Sequence, residues 1–129
     1  VVLPRMKNDM IEVMEACVNG KLDEIDLQFE ENAAVCVVLA SNGYPVSYEK
    51  GFEIKGLEKF NCQEGYYCFH AGTSLQDGKI VTSGGRVLGI TAKGADLLEA
   101  RANAYQATEW VTFDNKYMRC DIGKAIDEA

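Results

Sequence analysis

The chain has 129 residues, of which 47% are hydrophobic and 26% are charged, and its formal net charge is −7 at pH 7. This composition is typical of a soluble globular protein with room for one core. The negative charge argues against a nucleic-acid partner, which would require a basic face, and no apolar run approaches the ~20 residues of a membrane span.

The first 28 residues predict an amphipathic helix followed by an acidic connector. Asn8 or Asp9 can cap the helix, and Glu12 stands three residues after Asp9, as in a capping box. Asn19-Gly20 supplies the stop signal. The apolar positions that recur at helical spacing, and that we expect to fill a core, are Met10, Val13, Met14 and Cys17.

The middle of the chain predicts β-strands. The valine-rich run 33–40 is typical of a buried strand, and residues 66–70 and 86–91 predict two more. Between the last two, Asp77-Gly78 predicts a two-residue hairpin turn.

A second helix is predicted from Asp96 to Thr108. Clustered strands followed by a helix on one face favour an α+β fold, with a small, mainly antiparallel β-sheet and a packed helix. The N-terminal helix is separated from the sheet by the acidic connector and is expected to belong to another unit. The side of the second helix that we expect to be buried comprises Ala95, Leu98, Ala102 and Tyr105.

Three glycine-bearing turns carry the strongest functional signal. They lie at 41–45, 70–73 and 83–86, each at the end of a predicted strand. Gly84-Gly85 allows close approach of a ligand, although a hairpin turn needs glycines without any ligand. Arg86 follows them, and a guanidinium beside bare backbone N–H groups is an anion receptor. We therefore predict that the turns meet and form a small-molecule site.

The chain contains five cysteines and one histidine, whose spacing does not predict a zinc site. We interpret the cysteines as buried or half-buried free thiols of a reducing compartment, which predicts a cytoplasmic protein. A nucleophilic cysteine is an alternative, with His70 as the candidate base. The acidic residues at 23–31 lack EF-hand spacing and are interpreted as solvated surface. No catalytic or metal-binding residue is predicted.

A series of segments, taken in chain order, carries a family resemblance. They are 1–7, 33–45, 48–51, 69–73, 82–91, the alanine-rich helix at 95–108 and the ending at 119–123. Together they resemble the C-terminal part of the phosphoribosylamine–glycine ligase family, which belongs to the ATP-grasp superfamily. The resemblance covers nearly the whole chain, and its specificity comes from the order of the motifs.

The resemblance implies an ATP-dependent ligase of de novo purine biosynthesis. In that family, ATP and Mg²⁺ (or Mn²⁺) convert the carboxylate of glycine into glycyl phosphate, which the amine of 5-phosphoribosylamine attacks. The products are glycinamide ribonucleotide, ADP and phosphate. The family's metal ligands and nucleotide-binding strands lie upstream of Pro4-Arg5. We therefore expect this chain alone to bind neither ATP nor metal tightly and to have no ligase activity.

The resemblance also implies two units and a larger protein. Residues 1–28 would be the C-terminal end of the ATP-grasp domain, and residues 29–129 would be the C-terminal, substrate-side domain. The expected partners are the rest of the same ligase and its small-molecule substrates. Because the chain starts at Val1 without a methionine, we favour a piece of a longer protein over processing or design of the start.

The residues predicted to bind substrate are Arg86, Arg5, Lys7, Gly84, Gly85 and His70. Arg86 would contact the substrate phosphate, and its alternative is a surface arginine paired with a carboxylate. Arg5 and Lys7 would face the cleft, and the alternative for Arg5 is an interdomain salt bridge. His70 is interpreted as a hydrogen-bonded structural residue in preference to a general base.

Two other functional classes stay open. The chain could be a stand-alone module that binds a small ligand such as a ribose phosphate. It could instead be a non-catalytic lid whose loops pack against a catalytic domain. Binding of a ribose phosphate by the chain alone would separate the module from the lid.

Overall fold

The computed structural model describes residues 1–125. Its helices are α1 (Met10–Val18) and α2 (Leu97–Thr108), and its strands are β1 (Ala33–Ser41), β2 (Tyr66–His70), β3 (Thr73–Gln76), β4 (Lys79–Thr82), β5 (Arg86–Gly94) and β6 (Lys116–Tyr117). Short 3-10 turns lie at Leu3–Arg5, Leu22–Glu24 and Leu57–Phe60. No helix in residues 1–125 is long and apolar enough to cross a membrane.

The central sheet has the strand order β2-β5-β1-β6, and every neighbouring pair is antiparallel. β5 is an inner strand, since Ile90 pairs with Val37 on one side and with Cys68 on the other. β3 and β4 form a separate hairpin, whose turn residues Asp77 and Gly78 both have positive φ. The α+β fold, the antiparallel sheet and the hairpin are confirmed.

The prediction that 33–40 is a buried strand holds for one face only. Burial alternates along β1: Val35, Val37 and Leu39 are buried, whereas Val38 is 37% exposed. In an antiparallel sheet one face packs on the core and the other can stay open. Here α2 covers the face that carries Val35 and Val37, and Val38 points away from it.

The predicted buried side of α2 is also wrong, except at Tyr105, which is half-buried and packs against the core. The buried residues are Ala100, Ala104, Ala107 and Thr108, whereas Leu98 is 61% exposed and Ala95 and Ala102 are exposed. Small side chains let the helix lie very close to the sheet. A Cβ built on Gly94 would lie only 2.8 Å from the Cα of Ala100. The spacing of hydrophobic residues favours burial of Leu98. It carries no information about the distance between the helix and the sheet, which here admits small side chains.

α1 forms as predicted, but it does not fill a core within residues 1–125. Asp9, and not Asn8, is the cap, and its carboxylate accepts a hydrogen bond from the N–H of Ile11 at 2.8 Å. Ala16 is the buried residue of α1, whereas Met14 and Cys17 are exposed.

The cysteines are free thiols, as predicted, but they are less buried than expected. Cys36 and Cys68 are half-buried, while Cys17, Cys62 and Cys120 are exposed.

The N-terminal segment closes on itself before the sheet begins. Met6 pairs with Phe29 in an isolated antiparallel bridge, and the N–H of Lys7 donates to the carbonyl of Gln28 at 2.9 Å. Lys93 at the far end of β5 joins this segment to the sheet, since its ammonium donates to a carboxylate oxygen of Glu30 at 2.8 Å.

Candidate functional site

The three glycine-bearing turns meet at one end of the central sheet. The N–H of Ser41 donates to the carbonyl of Gly85 at 2.8 Å, and its hydroxyl donates to the carbonyl of Gly84 at 3.0 Å. The N–H of Ser83 donates to the carbonyl of Gly72 at 2.8 Å. The predicted meeting of the turns is thus confirmed, and backbone hydrogen bonds hold it.

Two glycines make this meeting sterically feasible. A Cβ on Gly72 would lie 2.5 Å from the carbonyl oxygen of Arg86 and 2.7 Å from the Cα of Gly84. A Cβ on Gly85 would overlap the ring of Tyr44. The turns therefore pack backbone to backbone and backbone to ring, at distances that a larger residue would not permit.

The turns border an open cleft of about 500 Å³. Its floor is Gly89 on β5, which pairs with Val38 on one side and with Phe69 on the other. Because both neighbours carry exposed side chains and Gly89 has none, the sheet surface is concave there. The cleft is lined by Val38, Tyr44, Phe69, His70, Ala71, Gly72, Gly85, Arg86, Leu88 and Gly89.

Arg86 is the cation of the cleft. Its backbone is held by pairing with Ala40 in the sheet, while the residue is exposed. Within residues 1–125, the guanidinium makes no salt bridge and no carboxylate lines the cleft. The alternative of an arginine paired with a carboxylate therefore finds no partner in the described part of the chain. An exposed guanidinium beside apolar walls can bind a phosphate or carboxylate through paired hydrogen bonds.

His70 also lines the cleft, at the end of β2. Its Nδ1 lies 2.9 Å from the hydroxyl oxygen of Thr73, a hydrogen bond in which the tautomer decides which atom donates. This contact agrees with the structural interpretation of His70 and leaves the ring at the cleft. Cys68 precedes it by two residues, and burial raises the pKa of its thiol to about 11. A thiol with that pKa is protonated at neutral pH, which argues against a nucleophilic role for Cys68.

Arg5 and Lys7 do not line the cleft. Arg5 donates from Nη2 to the carbonyl of Glu30 at 2.8 Å, near the Lys93 end of β5. Lys93 lies roughly 23 Å along the strand from Arg86. The hydrogen bond from Lys93 lowers the pKa of the Glu30 carboxyl. The structure therefore brings together Arg86, Gly84, Gly85 and His70, and places Arg5 and Lys7 at the other end of the sheet.

Several lining residues were missed by sequence reasoning. Val38 and Phe69 sit in apolar runs, and nothing in the sequence distinguishes them from their buried neighbours. Gly89 did carry a signal, since an isolated glycine within a strand marks a close approach or a gap in the packing. Tyr44 lies within the predicted turn at 41–45, and residue type alone does not distinguish a cleft residue from a loop residue there.

The described residues do not form a metal site. In residues 1–125, no group of three or more His, Cys, Asp or Glu side chains is placed to hold a metal ion. The acidic residues at 23–31 are largely exposed, in agreement with a solvated surface.

Comparison with known proteins gives a consistent result. Residues 34–125 match the family model described as phosphoribosylglycinamide synthetase, C domain. Phosphoribosylamine–glycine ligase from Caldanaerobacter subterraneus subsp. tengcongensis is 50% identical over 121 residues, which cover 94% of this chain and 28% of that protein. The trifunctional purine biosynthetic protein adenosine-3 of Gallus gallus is 48% identical, over 95% of this chain and 12% of that protein.

A solved structure shares the fold. The crystal structure of phosphoribosylamine–glycine ligase from Thermotoga maritima matches with a TM-score of 0.68 and 37% identity, over 87% of this chain and 28% of that one. The chain thus spans between about a tenth and three tenths of the length of these relatives. With the family model covering most of its length, the chain belongs to the phosphoribosylglycinamide synthetase C-domain family.

Proposed function

We propose that the chain is the C-terminal domain of an ATP-dependent ligase of de novo purine biosynthesis. The reaction would join 5-phosphoribosylamine and glycine, through glycyl phosphate, to give glycinamide ribonucleotide, ADP and phosphate. The observation that carries the proposal is the match of residues 34–125 to the synthetase C domain, combined with a cleft whose cation faces solvent. A cytoplasmic location is part of the same proposal.

The cleft would form the wall that binds the phosphate of 5-phosphoribosylamine. Arg86 would hold the phosphate, because a guanidinium matches its oxygen geometry and no acidic side chain among the lining residues opposes it. The turn at Gly84-Gly85 would allow the substrate to approach the backbone closely. His70 would contact the substrate from the end of β2. A substrate-binding role for Arg5 and Lys7 stays a prediction, and it would involve a surface away from this cleft.

ATP and Mg²⁺ (or Mn²⁺) would be bound elsewhere in the ligase. The described residues do not fit a metal ion, since no cluster of ligating side chains occurs in residues 1–125. We therefore assign this chain no step in phosphoryl transfer. It would position one substrate, and the chain alone is predicted to bind neither ATP nor metal tightly and to lack ligase activity.

The remaining domains of the same ligase are the proposed partner. Ile11, Met14 and Val18 leave α1 with an exposed apolar face, and Val18 is 86% exposed. Such a face on a helix normally packs against another element. We further propose that residues 1–28 end the ATP-grasp domain and residues 29–129 form the C-terminal domain. The start of the family match at residue 34 supports this division.

The test is Arg86→Ala in the complete ligase. Loss of a charge-assisted hydrogen bond to phosphate should raise the KM for 5-phosphoribosylamine about tenfold or more, with the KM for ATP unchanged. Steady-state kinetics with each substrate varied in turn measures this. Lys79→Ala is the matched control, because Lys79 is an exposed cation in a surface ion pair with Glu53 and should change neither constant.

An unchanged KM for 5-phosphoribosylamine in Arg86→Ala would remove Arg86 from the site. The non-catalytic lid would then be the better interpretation of the cleft.

A further inference from the structure

We propose that Tyr44 is a substrate-binding residue that contacts the ribose ring of a sugar phosphate whose phosphate is bound by Arg86. This inference rests on the proposed function and assigns a second contact within the same cleft. It makes Tyr44 a determinant of specificity for sugar phosphates over inorganic phosphate.

Tyr44 lies on the wall of the cleft. Tyr44 is 43% exposed and lines the cleft together with Arg86. An adjoining cavity of about 290 Å³ is lined in part by three residues of the cleft, Val38, Tyr44 and Arg86. Tyr44 therefore borders two concave surfaces, both of which Arg86 also borders.

The ring of Tyr44 is held in place before any ligand binds. One edge of it lies on the backbone of Gly85, since a Cβ there would be 2.5 Å from ring Cε2 and 2.8 Å from Cγ. Tyr48 contacts the ring edge-to-face, with centroids 5.9 Å apart. The N–H of Tyr44 donates to the carbonyl of Ser41 at 3.1 Å, and Ser41 in turn donates to the carbonyls of Gly84 and Gly85. A prepositioned side chain loses little conformational entropy on binding.

The chemistry of the site favours a sugar phosphate. A ribose ring presents C–H groups between its hydroxyls, and an aromatic face with a hydroxyl at its rim complements both. Within residues 1–125, the hydroxyl of Tyr44 makes no hydrogen bond, so it can accept or donate one to a ligand. Val38 extends the apolar wall, and the neighbouring guanidinium supplies the charge for phosphate.

The test uses Tyr44→Ala and Tyr44→Phe in the complete ligase, with Val46→Ala as the matched control. Val46 lies in the same loop and is 91% exposed. Tyr44→Ala should raise the KM for 5-phosphoribosylamine about tenfold, with the KM values for ATP and glycine unchanged. Tyr44→Phe keeps the ring and should stay within about threefold of the unsubstituted enzyme. Val46→Ala should not differ from it.

Inhibition by inorganic phosphate, competitive with 5-phosphoribosylamine, provides a second measurement. Its inhibition constant should be unchanged in Tyr44→Ala, because phosphate alone reaches Arg86 without the ring. An equal loss of affinity for phosphate and for 5-phosphoribosylamine would mean that the ring only positions Arg86, which overturns the inference. An unchanged KM for 5-phosphoribosylamine in Tyr44→Ala also overturns it.

The activity of the unsubstituted complete ligase distinguishes failure of the proposed function from failure of the role of Tyr44. If the unsubstituted complete ligase makes no glycinamide ribonucleotide, the proposed function fails, and this inference fails with it. If it is active and Tyr44→Ala behaves like Val46→Ala, the proposed function stands and only the role of Tyr44 is lost.

Discussion

Gly72 is the contact point between two of the turns that border the cleft. Its α-carbon faces the backbone of Gly84 and the carbonyl of Arg86, and none of these atoms can move without shifting a strand end. The N–H of Gly72 also donates to the carbonyl of Val87 at 3.2 Å. The backbone position of Arg86 thus depends on a residue that has no side chain.

Gly72→Ala should therefore destabilise the domain by about 1–3 kcal/mol, because the added methyl group would push two backbones apart. Urea denaturation followed by circular dichroism measures the free energy of unfolding. Ala71→Ser is the control, since Ala71 is the exposed neighbour in the same turn and should stay within ~0.5 kcal/mol. Equal stability of Gly72→Ala and the unsubstituted chain would contradict the tight packing described for these turns.

Among the elements, α2 shows how closely a helix can lie on the sheet. Ala100 and Ala104 pack with Val35, Val37 and Ala92 and are fully buried. The last turn of the helix is closed by Lys116, whose ammonium donates to the carbonyls of Thr108 and Val111 at 2.8 and 2.9 Å. A cation at the C-terminus of a helix also interacts favourably with its dipole. α2 covers one face of β1 and β5, and the cleft lies on the opposite face, at Val38 and Gly89.

Ala104→Leu should destabilise the chain by about 1–3 kcal/mol, because the added volume has no space between the layers. Ala102→Leu is the matched control on the same helix, and it should stay within ~0.5 kcal/mol because Ala102 is exposed. The same denaturation experiment compares them. The reverse order, with Ala102→Leu the more damaging, would support the face predicted from hydrophobic spacing and contradict the structure.

In the whole molecule, the N-terminal segment and the sheet are joined at a few polar contacts. Lys93 donates to Glu30 and to the carbonyl of Pro4 at 3.2 Å, while α1 keeps its apolar face exposed. An exposed apolar face of this kind on a helix normally packs against another element.

The double substitution Ile11→Gln, Val18→Gln tests whether α1 packs against the rest of the ligase. In the complete ligase it should lower the free energy of unfolding by about 1–3 kcal/mol per buried side chain. In the chain alone it should have little effect on stability, since both side chains are already exposed. Glu15→Gln, an exposed polar change on the same helix, is the control. Equal effects in the two contexts would mean that this face packs against nothing in the complete protein.

Local chemistry accounts for the elements that sequence reasoning placed correctly. Asp9 and Asp96 cap their helices through side-chain oxygens, and Asp77-Gly78 forms the hairpin turn. These signals act over a few residues, so they can be interpreted without knowing the fold. The short strand β6 was not predicted, because a pairing of Lys116 and Tyr117 with the end of β1 has no local pattern.

The candidate site likewise contains some residues that the sequence identifies and others that only the tertiary structure places. Arg86 and the turn before it were recognisable, because glycine pairs and a cation at a strand end act through their own backbone and charge. The family was also recognisable from the order of the motifs along the chain. Val38 faces the cleft and Val37 faces the core because α2 covers only one side of the sheet. The side that α2 covers is determined by contacts between residues distant in sequence, which the sequence pattern does not show. The separation of Arg5 and Lys7 from Arg86 has the same origin, since strand pairing sets the distance between segments that spacing along the chain does not specify.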